Sequence, residues 1–147
     1  MDLKARLSDD MRTAMKAREK LKVSTLRLAS SAVTYAEKDK RRELTEDEVI
    51  EVLAREVKKR REAASEYTAA KRQDLADKEL KEAEILKEYL PEQMSTDEIN
   101  TLVKEAIEET GALGPGDIGK VMGAVIPKTK GKADGKQVNE IVRSLLS

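Results

Sequence analysis

The chain is organised around one stretch, which runs from Asp117 to Gly135 and reads DIGKVMGAVIPKTKGKADG. Its first half carries apolar residues at i, i+3, i+4 and i+7, the spacing of one buried helix face: Ile118, Val121, Met122 and Val125. Asp117 is placed to cap this helix, and Pro127, which has no amide N–H, is predicted to end it. The pattern therefore predicts a short helix that packs by a single face.

Two glycines lie outside that face. Gly119 and Gly123 are one turn apart on its flank. A glycine inside a helix costs about 1 kcal/mol relative to alanine, so a close approach to the backbone is needed to explain the pair. Lysines follow at once in a predicted loop: Lys128, Lys130 and Lys132. The arrangement fits either a docking surface for a nucleic-acid backbone or tight packing by a neighbouring helix of the same protein.

The composition of the 147 residues is typical of a helical protein with many solvated faces, since 39% are charged and 2% are aromatic. The 29 basic and 29 acidic residues balance, so a charged binding surface can only be a local patch. The chain has no cysteine, which excludes disulfides and thiolate sites, and no histidine, the commonest general base and metal ligand. We therefore expect no metal site and no cofactor.

Targeting and membrane signals are weak. No apolar run approaches the roughly 18 residues of a membrane span, and the amino terminus begins an amphipathic helix without a signal-peptide core. These features predict a soluble, cytoplasmic, all-α protein that makes no membrane contact.

The second predicted helix, from about Leu21 to Lys38, is apolar on two faces and is therefore expected at the centre of a bundle. Its second apolar row consists of Leu21, Thr25, Leu28, Ala32 and Tyr35. Arg27 lies within this helix and is either a surface arginine or a ligand contact.

The third helix begins with a capping box, in which Thr45 is the N-cap and Glu48 lies three residues later. Arg60 lies in the apolar seam of this helix and is expected to pair with Glu79 or Glu84 of the next one. Around it lies a secondary basic cluster: Lys58, Lys59 and Arg61. This cluster is either a ligand contact or a solvated face balanced by neighbouring acids.

A boundary between two units is predicted after the fourth helix, which Asp74 should cap and Pro91 should end. Ser95 and Glu98 form a second capping box that starts a smaller unit. The sequence thus predicts a four-helix bundle at 1–93 and a small three-helix domain at 94–147.

The three short helices of the smaller unit share the spacing i, i+3, i+4, i+7, which offers one stripe each to a common core. These stripes are Ile99, Leu102, Val103 and Ala106; Ile118, Val121, Met122 and Val125; and Val138, Ile141, Val142 and Leu145. Gly111 is expected to close the first of these helices, and Asp134 with Gln137 to form a capping box for the last.

The stretch DIGKVMG from Asp117, together with GKADG from Gly131, resembles the carboxy-terminal signature of the GatB/YqeY family. Further positions that look like those of the family are Leu26-Arg27-Leu28, the 58–61 cluster with Tyr67, Arg72 and Leu75, and Tyr89-Leu90-Pro91. The family joins the tail of the B subunit of the tRNA-dependent amidotransferase to free-standing YqeY proteins. Because no catalytic portion precedes the resemblance, the chain looks like a free-standing member, which implies a helical bundle carrying a small three-helix domain.

In the amidotransferase, the tail is associated with recognising the body of the tRNA, so the resemblance implies a non-catalytic tRNA-binding module. Between Ala112 and Ser147 six basic residues stand against three acidic ones. The candidate RNA contacts are Gly119, Lys120, Gly123, Lys128, Lys130, Lys132 and Lys136. Base stacking would depend on the three tyrosines, Tyr35, Tyr67 and Tyr89, each of which is predicted to lie in the core. Asp134 also occupies a helix N-terminus that could otherwise accept a phosphate, so contacts to the RNA backbone and its shape are expected.

Two other classes of function stay open. The same glycine surface would suit a protein adaptor that contacts an amidotransferase or another tRNA-handling enzyme. An enzyme is disfavoured, because a Ser-His-Asp set is impossible without histidine and no Gly-x-x-x-x-Gly-Lys-Ser/Thr loop occurs. No catalytic residue is therefore predicted, and a carbon–nitrogen ligase label would follow from family association alone.

Overall fold

A computed structural model of the protein describes residues 2–147, and over this range the secondary structure is entirely helical, as predicted. There are seven α-helices and one short 3-10 helix within it: α1 Leu3–Lys16, α2 Lys20–Lys40, α3 Glu46–Ala69, α4 Gln73–Lys87, α5 Thr96–Thr110, the 3-10 helix Pro115–Asp117, α6 Ile118–Thr129 and α7 Gly135–Leu146.

The helices form two compact units, of which the first ends at Leu90 and the second is Pro91–Ser147. The first unit contains α1 to α4, and the second contains α5 to α7. The predicted domains, with bounds at 1–93 and 94–147, stay a prediction.

The core of the first unit is built around α2, which contacts α1, α3 and α4. The buried residues are Leu7, Leu26, Ala29, Val33, Leu44, Val49, Val52, Leu53, Val57, Ala83, Leu86 and Tyr89. The central position predicted for α2 is therefore correct. The second apolar row of α2 is only partly covered, because Leu28 is 57% exposed and Tyr35 is 76% exposed. The prediction that Tyr35 lies in the core is wrong.

Polar contacts join α1 to Tyr89, which lies two residues after the end of α4. The Tyr89 hydroxyl donates to the Asp10 carboxylate, and the Arg6 guanidinium lies 4.4 Å from the centroid of the Tyr89 ring. Burial, followed by the hydrogen bond to Asp10, raises the pKa of the Tyr89 phenol. The phenol is therefore a protonated, structural donor.

Arg60 is buried between α3 and α4, as predicted, but its partners differ from those expected. Its Nε lies 3.1 Å from Glu82 Oε2, and its Nη1 lies 3.1 Å from Glu56 Oε2. Glu79 and Glu84 are not the partners, and Glu84 is exposed. Which carboxylate of α4 faces Arg60 depends on how the two helices are aligned. The local sequence does not determine that alignment.

The capping boxes of α3 and α5 and the Gly111 helix end are correct, whereas both predicted ends of α4 are wrong. Both capping boxes form, at Thr45 with Glu48 and at Ser95 with Glu98, and Gly111 closes α5 with φ 67°. Asp74 does not cap α4, because the N-cap position is Arg72 and the Asp74 carboxylate forms an ion pair with it at 3.2 Å. The helix also ends at Lys87, before Pro91 could end it.

The core of the second unit is aliphatic and draws on all three helices: Ile99, Val103, Ala106, Ala112, Val121, Val125, Val138, Val142 and Leu146. Leu146 takes the place predicted for Leu145, which is 38% exposed. The capping box predicted for α7 does not form. The Asp134 carboxylate accepts from the Lys136 amide at 3.2 Å, whereas Gln137 donates to the Thr96 hydroxyl at 3.2 Å.

Candidate nucleic-acid interface

Helix α6 carries both glycines of the candidate site and is anchored by its buried face, with Val121 and Val125 inaccessible to solvent. Asp117 precedes it without forming a side-chain cap. Its carboxylate instead accepts from the Leu113 amide at 2.9 Å and closes the turn around Pro115. The prediction that Asp117 caps the helix is therefore wrong.

Pro127 lies inside α6 and does not end it, contrary to prediction. A proline removes the one backbone bond that its own N–H would donate, here to the Gly123 carbonyl, and two further residues can still follow in helical conformation. The helix accordingly reaches Thr129, whose buried hydroxyl donates to the Val125 carbonyl at 3.4 Å. Lys128 thus belongs to the last turn of a helix and not to a loop.

The two glycines face open space. A Cβ placed on Gly119 or Gly123 would meet no atom within 4 Å, apart from its own helix backbone, and both residues are exposed. Packing of another helix of this chain against them is therefore not observed in residues 2–147. The flank of α6 presents bare backbone to the surroundings.

The five lysines of the candidate site are all exposed, but they do not lie on one side of α6: Lys120, Lys128, Lys130, Lys132 and Lys136. At 100° per residue, Lys120 lies about 60° from Gly123 around the axis, whereas Lys128 lies about 140° away. Lys130 is the C-cap residue and has a non-helical ψ of 123°. Helical geometry thus places Lys120 nearer to Gly123 than Lys128, and Lys130 follows directly after the helix.

The loop that carries Lys130 and Lys132 is fastened to the segment before α5. The Gln93 amide donates to the Gly131 carbonyl at 2.9 Å, and the Met94 backbone N–H donates to the Lys132 carbonyl at 2.8 Å. Gly131 has φ 75°, a backbone conformation that favours glycine. Neither anchor was predicted, because both join residues that are far apart in sequence.

A shallow cavity of about 370 Å³ lies on α5, and its walls combine apolar and acidic side chains. Its lining residues are Met94, Asp97, Glu98, Thr101, Leu102 and Glu105. The acidic residues of this cavity lie on α5, whereas the five lysines of the candidate site lie on or between α6 and α7. The second unit therefore has an acidic part and a basic part. This cavity was not predicted from the sequence, although the acids recur at a spacing that places them on one face of a helix.

The secondary basic cluster on α3 is not gathered into one site. Lys59 forms an ion pair with Glu56 at 3.6 Å, Lys58 is half-buried, and Arg61 is exposed. Consecutive positions on a helix point about 100° apart, so these side chains spread around the axis. The cluster agrees better with a balanced, solvated face than with a binding site.

Metal and membrane features can be assessed over the described part of the chain. Within residues 2–147 no group of three or more Asp or Glu side chains is placed to hold a metal ion. In the same range, no helix has the length and apolar character that crossing a bilayer requires.

Comparison with known proteins identifies the family. The family model described as Yqey-like protein matches residues 4–146, which is nearly the whole chain. The chain belongs to the YqeY-like protein family. The resemblance that was noted in the glycine-containing stretch of α6 and in the bundle is confirmed.

Relatives among curated proteins come from fungi. An uncharacterized protein of Schizosaccharomyces pombe is 35% identical over 94 residues, which cover 64% of this chain and 76% of that protein. Altered inheritance of mitochondria protein 41, mitochondrial, of Pyrenophora tritici-repentis is 28% identical over 144 residues, 96% of this chain and 79% of that protein. The protein of the same name from Clavispora lusitaniae is 38% identical over 84 residues, 57% of this chain and 49% of its own length.

These names contradict the predicted cytoplasmic location, which is therefore wrong, because the relatives from Pyrenophora and Clavispora are named as mitochondrial proteins. The lack of cysteine could not have distinguished the compartments, since it is compatible with any reducing one. Neither the family description nor these names states an enzymatic activity.

Proposed function

We propose that this protein is a non-catalytic module that binds tRNA through its phosphate backbone and shape, using the glycine flank of α6 and the lysines around it. The observation that carries the proposal is the open flank of Gly119 and Gly123, where a Cβ would meet nothing within 4 Å. An exposed helix gains stability from alanine at such positions, so glycine there is best explained by a ligand that approaches the backbone.

The charges beside this flank suit a polyanion. Lys120 lies on α6 next to Gly119, Lys130 follows the end of that helix, and Lys132 and Lys136 lie in the loop and in the first turn of α7. Lysine acts as a mobile point charge that neutralises phosphates without reading bases. This favours recognition of an RNA backbone over recognition of a base sequence.

The acidic cavity on α5 supports one orientation of the bound RNA. Asp97 and Glu105 line that cavity, and phosphates would be repelled there. An RNA that meets the second unit is therefore directed to α6 and α7. Electrostatic steering of this kind acts even though the whole chain has no net charge.

The test is a titration of tRNA against the full chain, followed by gel shift or anisotropy at low salt. A variant with Lys120, Lys130 and Lys132 changed to glutamine should bind at least tenfold more weakly. The slope of log K against log salt should also become shallower by about 0.9 for each phosphate that the variant no longer neutralises. The matched control changes three exposed lysines of the first unit, Lys71, Lys78 and Lys81, to glutamine. Absence of tRNA binding, or an equal loss of affinity in the control, would overturn the proposal.

A second candidate function is a protein adaptor, which the α5 cavity favours. Met94 and Leu102 give it an apolar floor, and the surrounding carboxylates suit a basic segment of a partner such as an amidotransferase or another tRNA-handling protein. Affinity purification with and without RNase separates the candidates, because an adaptor keeps its partners after the RNA is digested. In either case a carbon–nitrogen ligase label would describe the association and not an activity of this chain.

A further inference from the structure

The turn between α1 and α2 is a basic segment that the function proposed above does not use. We call residues 15–22 the α1–α2 corner, since they end α1, turn and begin α2. Met15 is 54% exposed at its start. Four basic residues follow against one acidic residue: Lys16, Arg18, Lys20 and Lys22, with Glu19. None of the four cations forms an ion pair within residues 2–147, so the corner combines an open apolar side chain with a positive charge that the fold does not neutralise.

The α5 cavity has the opposite character. Its apolar floor consists of Met94 and Leu102, which are both half-buried. The carboxylates of Asp97 and Glu105 lie beside this floor, about 12 Å apart along the helix axis, and form no hydrogen bond or ion pair in the described part of the chain. Lys104, the one basic residue of α5, does not line the cavity. The α5 cavity therefore offers an apolar surface between two unpaired negative charges.

We propose that the α5 cavity of one copy of this protein receives the α1–α2 corner of a second copy. The Met15 side chain lies on the apolar floor, and the cations that follow it lie beside Asp97 and Glu105. A methionine side chain is flexible and polarisable, so it adapts to a shallow apolar surface. Opposite charges around the apolar contact orient the two surfaces as they meet.

Two further points concern the choice of a second copy. The chain has a formal net charge of zero, so whole copies do not repel one another. The inference does not rest on the proposed function, because no RNA takes part. It uses the cavity that the adaptor considered above would use, but it names a second copy of this chain as the occupant.

The other apolar side chains that are more than 40% exposed match the cavity less well: Leu28, Tyr35, Leu80 and Leu113. Leu113 has no charged residue within three positions of it, and Leu28 has only Arg27. Within three positions of Leu80 and within four of Tyr35, acidic residues outnumber basic ones. Met15 is thus the strongly exposed apolar residue whose surroundings best complement the α5 cavity.

The experiment measures self-association of the full chain by sedimentation velocity. The protein concentration runs from about 10 to 500 µM at low salt, because a contact of this size is weak. Copies should associate as the concentration rises. Salt at about 0.5 M should reverse most of the association, since it screens charges beyond a few ångströms. Met15→Ser should weaken the association several-fold, because it removes the apolar group from the contact.

Charge reversal tests the pairing of the two surfaces. Asp97→Lys with Glu105→Lys in the cavity should weaken self-association by about tenfold or more, because cations then face cations. Lys16→Glu with Lys20→Glu in the corner should do the same. All four substitutions in one chain return the net charge to zero and should restore the association to within about threefold of wild type. Circular dichroism verifies that each variant keeps its helices.

The matched control is Asp39→Lys with Asp47→Lys, which changes the net charge by as much as the cavity variant. Asp39 and Asp47 are exposed acids without an ion pair, near the end of α2 that is far from the corner and at the start of α3. The control should associate like wild type, and adding it to the corner variant should not restore association.

The outcomes decide the inference without reference to RNA. A chain that stays monomeric at every concentration would overturn it. So would an equal loss in the control, or a quadruple variant that does not regain association. The tRNA titration tests the proposed function separately, so the failure of one can be distinguished from the failure of the other.

Discussion

The two units differ in whether charged side chains take part in the core. The first unit buries Arg60 between α3 and α4, where Glu82 and Glu56 satisfy its guanidinium. The second unit has an aliphatic core and leaves its lysines, together with the bare flank of α6, on the surface. The fold explains the buried Arg60 through its two carboxylate partners, whereas the glycines of α6 expose their backbone without any packing contact within residues 2–147. This difference is the reason for which we propose the ligand site in the second unit.

The largest effect that tests this difference is expected at Arg60. Arg60→Met leaves the buried Glu82 without its cation, so the free energy of unfolding of the first unit should fall by about 3–5 kcal/mol. Urea unfolding followed by circular dichroism measures the loss, and amide hydrogen exchange shows which unit it affects. Arg61→Met changes the exposed neighbour in the same way and should alter stability by less than about 0.5 kcal/mol.

A harmless Arg60→Met would contradict a stabilising role for the buried ion pair. Adding Glu82→Met should restore most of the lost stability, because a buried ion pair replaced by apolar groups is often neutral. Failure of the second substitution to rescue would indicate that packing, and not charge, holds α3 against α4.

A core substitution in the second unit comes next. Ile99 is completely buried in the aliphatic cluster, and Ile99→Ala should lower the stability of that unit by about 3 kcal/mol. A unit of this size has little stability to lose, so its helices should unfold separately while α1 to α4 persist. Loss of amide exchange protection only in 91–147 is the expected signature. Simultaneous unfolding of all seven helices would contradict the independence of the two units.

The glycine flank allows a test in which stability and binding move in opposite directions. Gly119→Ala and Gly123→Ala should each raise the free energy of unfolding by about 0.5–1 kcal/mol, because a Cβ at either position meets nothing within 4 Å. The same double variant should bind tRNA several-fold more weakly, since methyl groups then stand where the RNA backbone approaches. Thermal unfolding and the tRNA titration measure the two effects. A stabilised variant with unchanged tRNA affinity would show that RNA binding does not explain the two glycines.

The smallest effect concerns acid stability in the first unit. Glu48 accepts hydrogen bonds from Arg42 and Lys40 and from the Thr45 backbone N–H, and these partners hold its pKa well below the usual 4.5. Because the pKa is lowered on folding, this stabilisation is complete above about pH 4.5 and is lost as the pH falls below that value. Glu48→Gln should therefore flatten the decline in Tm between pH 6 and pH 3, which a thermal melt series measures.

The matched control is Glu98→Gln in the capping box of the second unit. The Glu98 carboxylate accepts a hydrogen bond from the Ser95 hydroxyl and forms no salt bridge within residues 2–147. Glu98→Gln should change the decline in Tm between pH 6 and pH 3 less than Glu48→Gln does. An equal flattening by both variants would show that the cap itself, and not the basic partners of Glu48, carries the pH dependence.

Local signals in the sequence were sufficient for the capping boxes and for the Gly111 helix end, because those motifs are completed within three or four residues. They failed at Tyr35 and Leu28, since an apolar row on a helix does not reveal whether another element covers it. The partner of Arg60 could not be predicted either, because the alignment of α3 and α4 brings Glu82 to face it. In the candidate site, the sequence left open whether another helix packs on Gly119 and Gly123, and the structure shows no such packing within residues 2–147. The position of Lys128 inside the last turn of α6 could not be predicted, because Pro127 was expected to end that helix.

The continuation of α6 past Pro127 has a consequence for ligand binding. Lys128 and Lys120 are carried by backbone that is already ordered, and the pyrrolidine ring fixes one further dihedral angle between them. Ordering a flexible residue costs roughly 1–2 kcal/mol in conformational entropy, which a ligand that meets a preformed helix does not have to supply. If RNA binds as proposed, only the lysine side chains at these two positions have to be ordered, so the main chain there contributes little entropic loss.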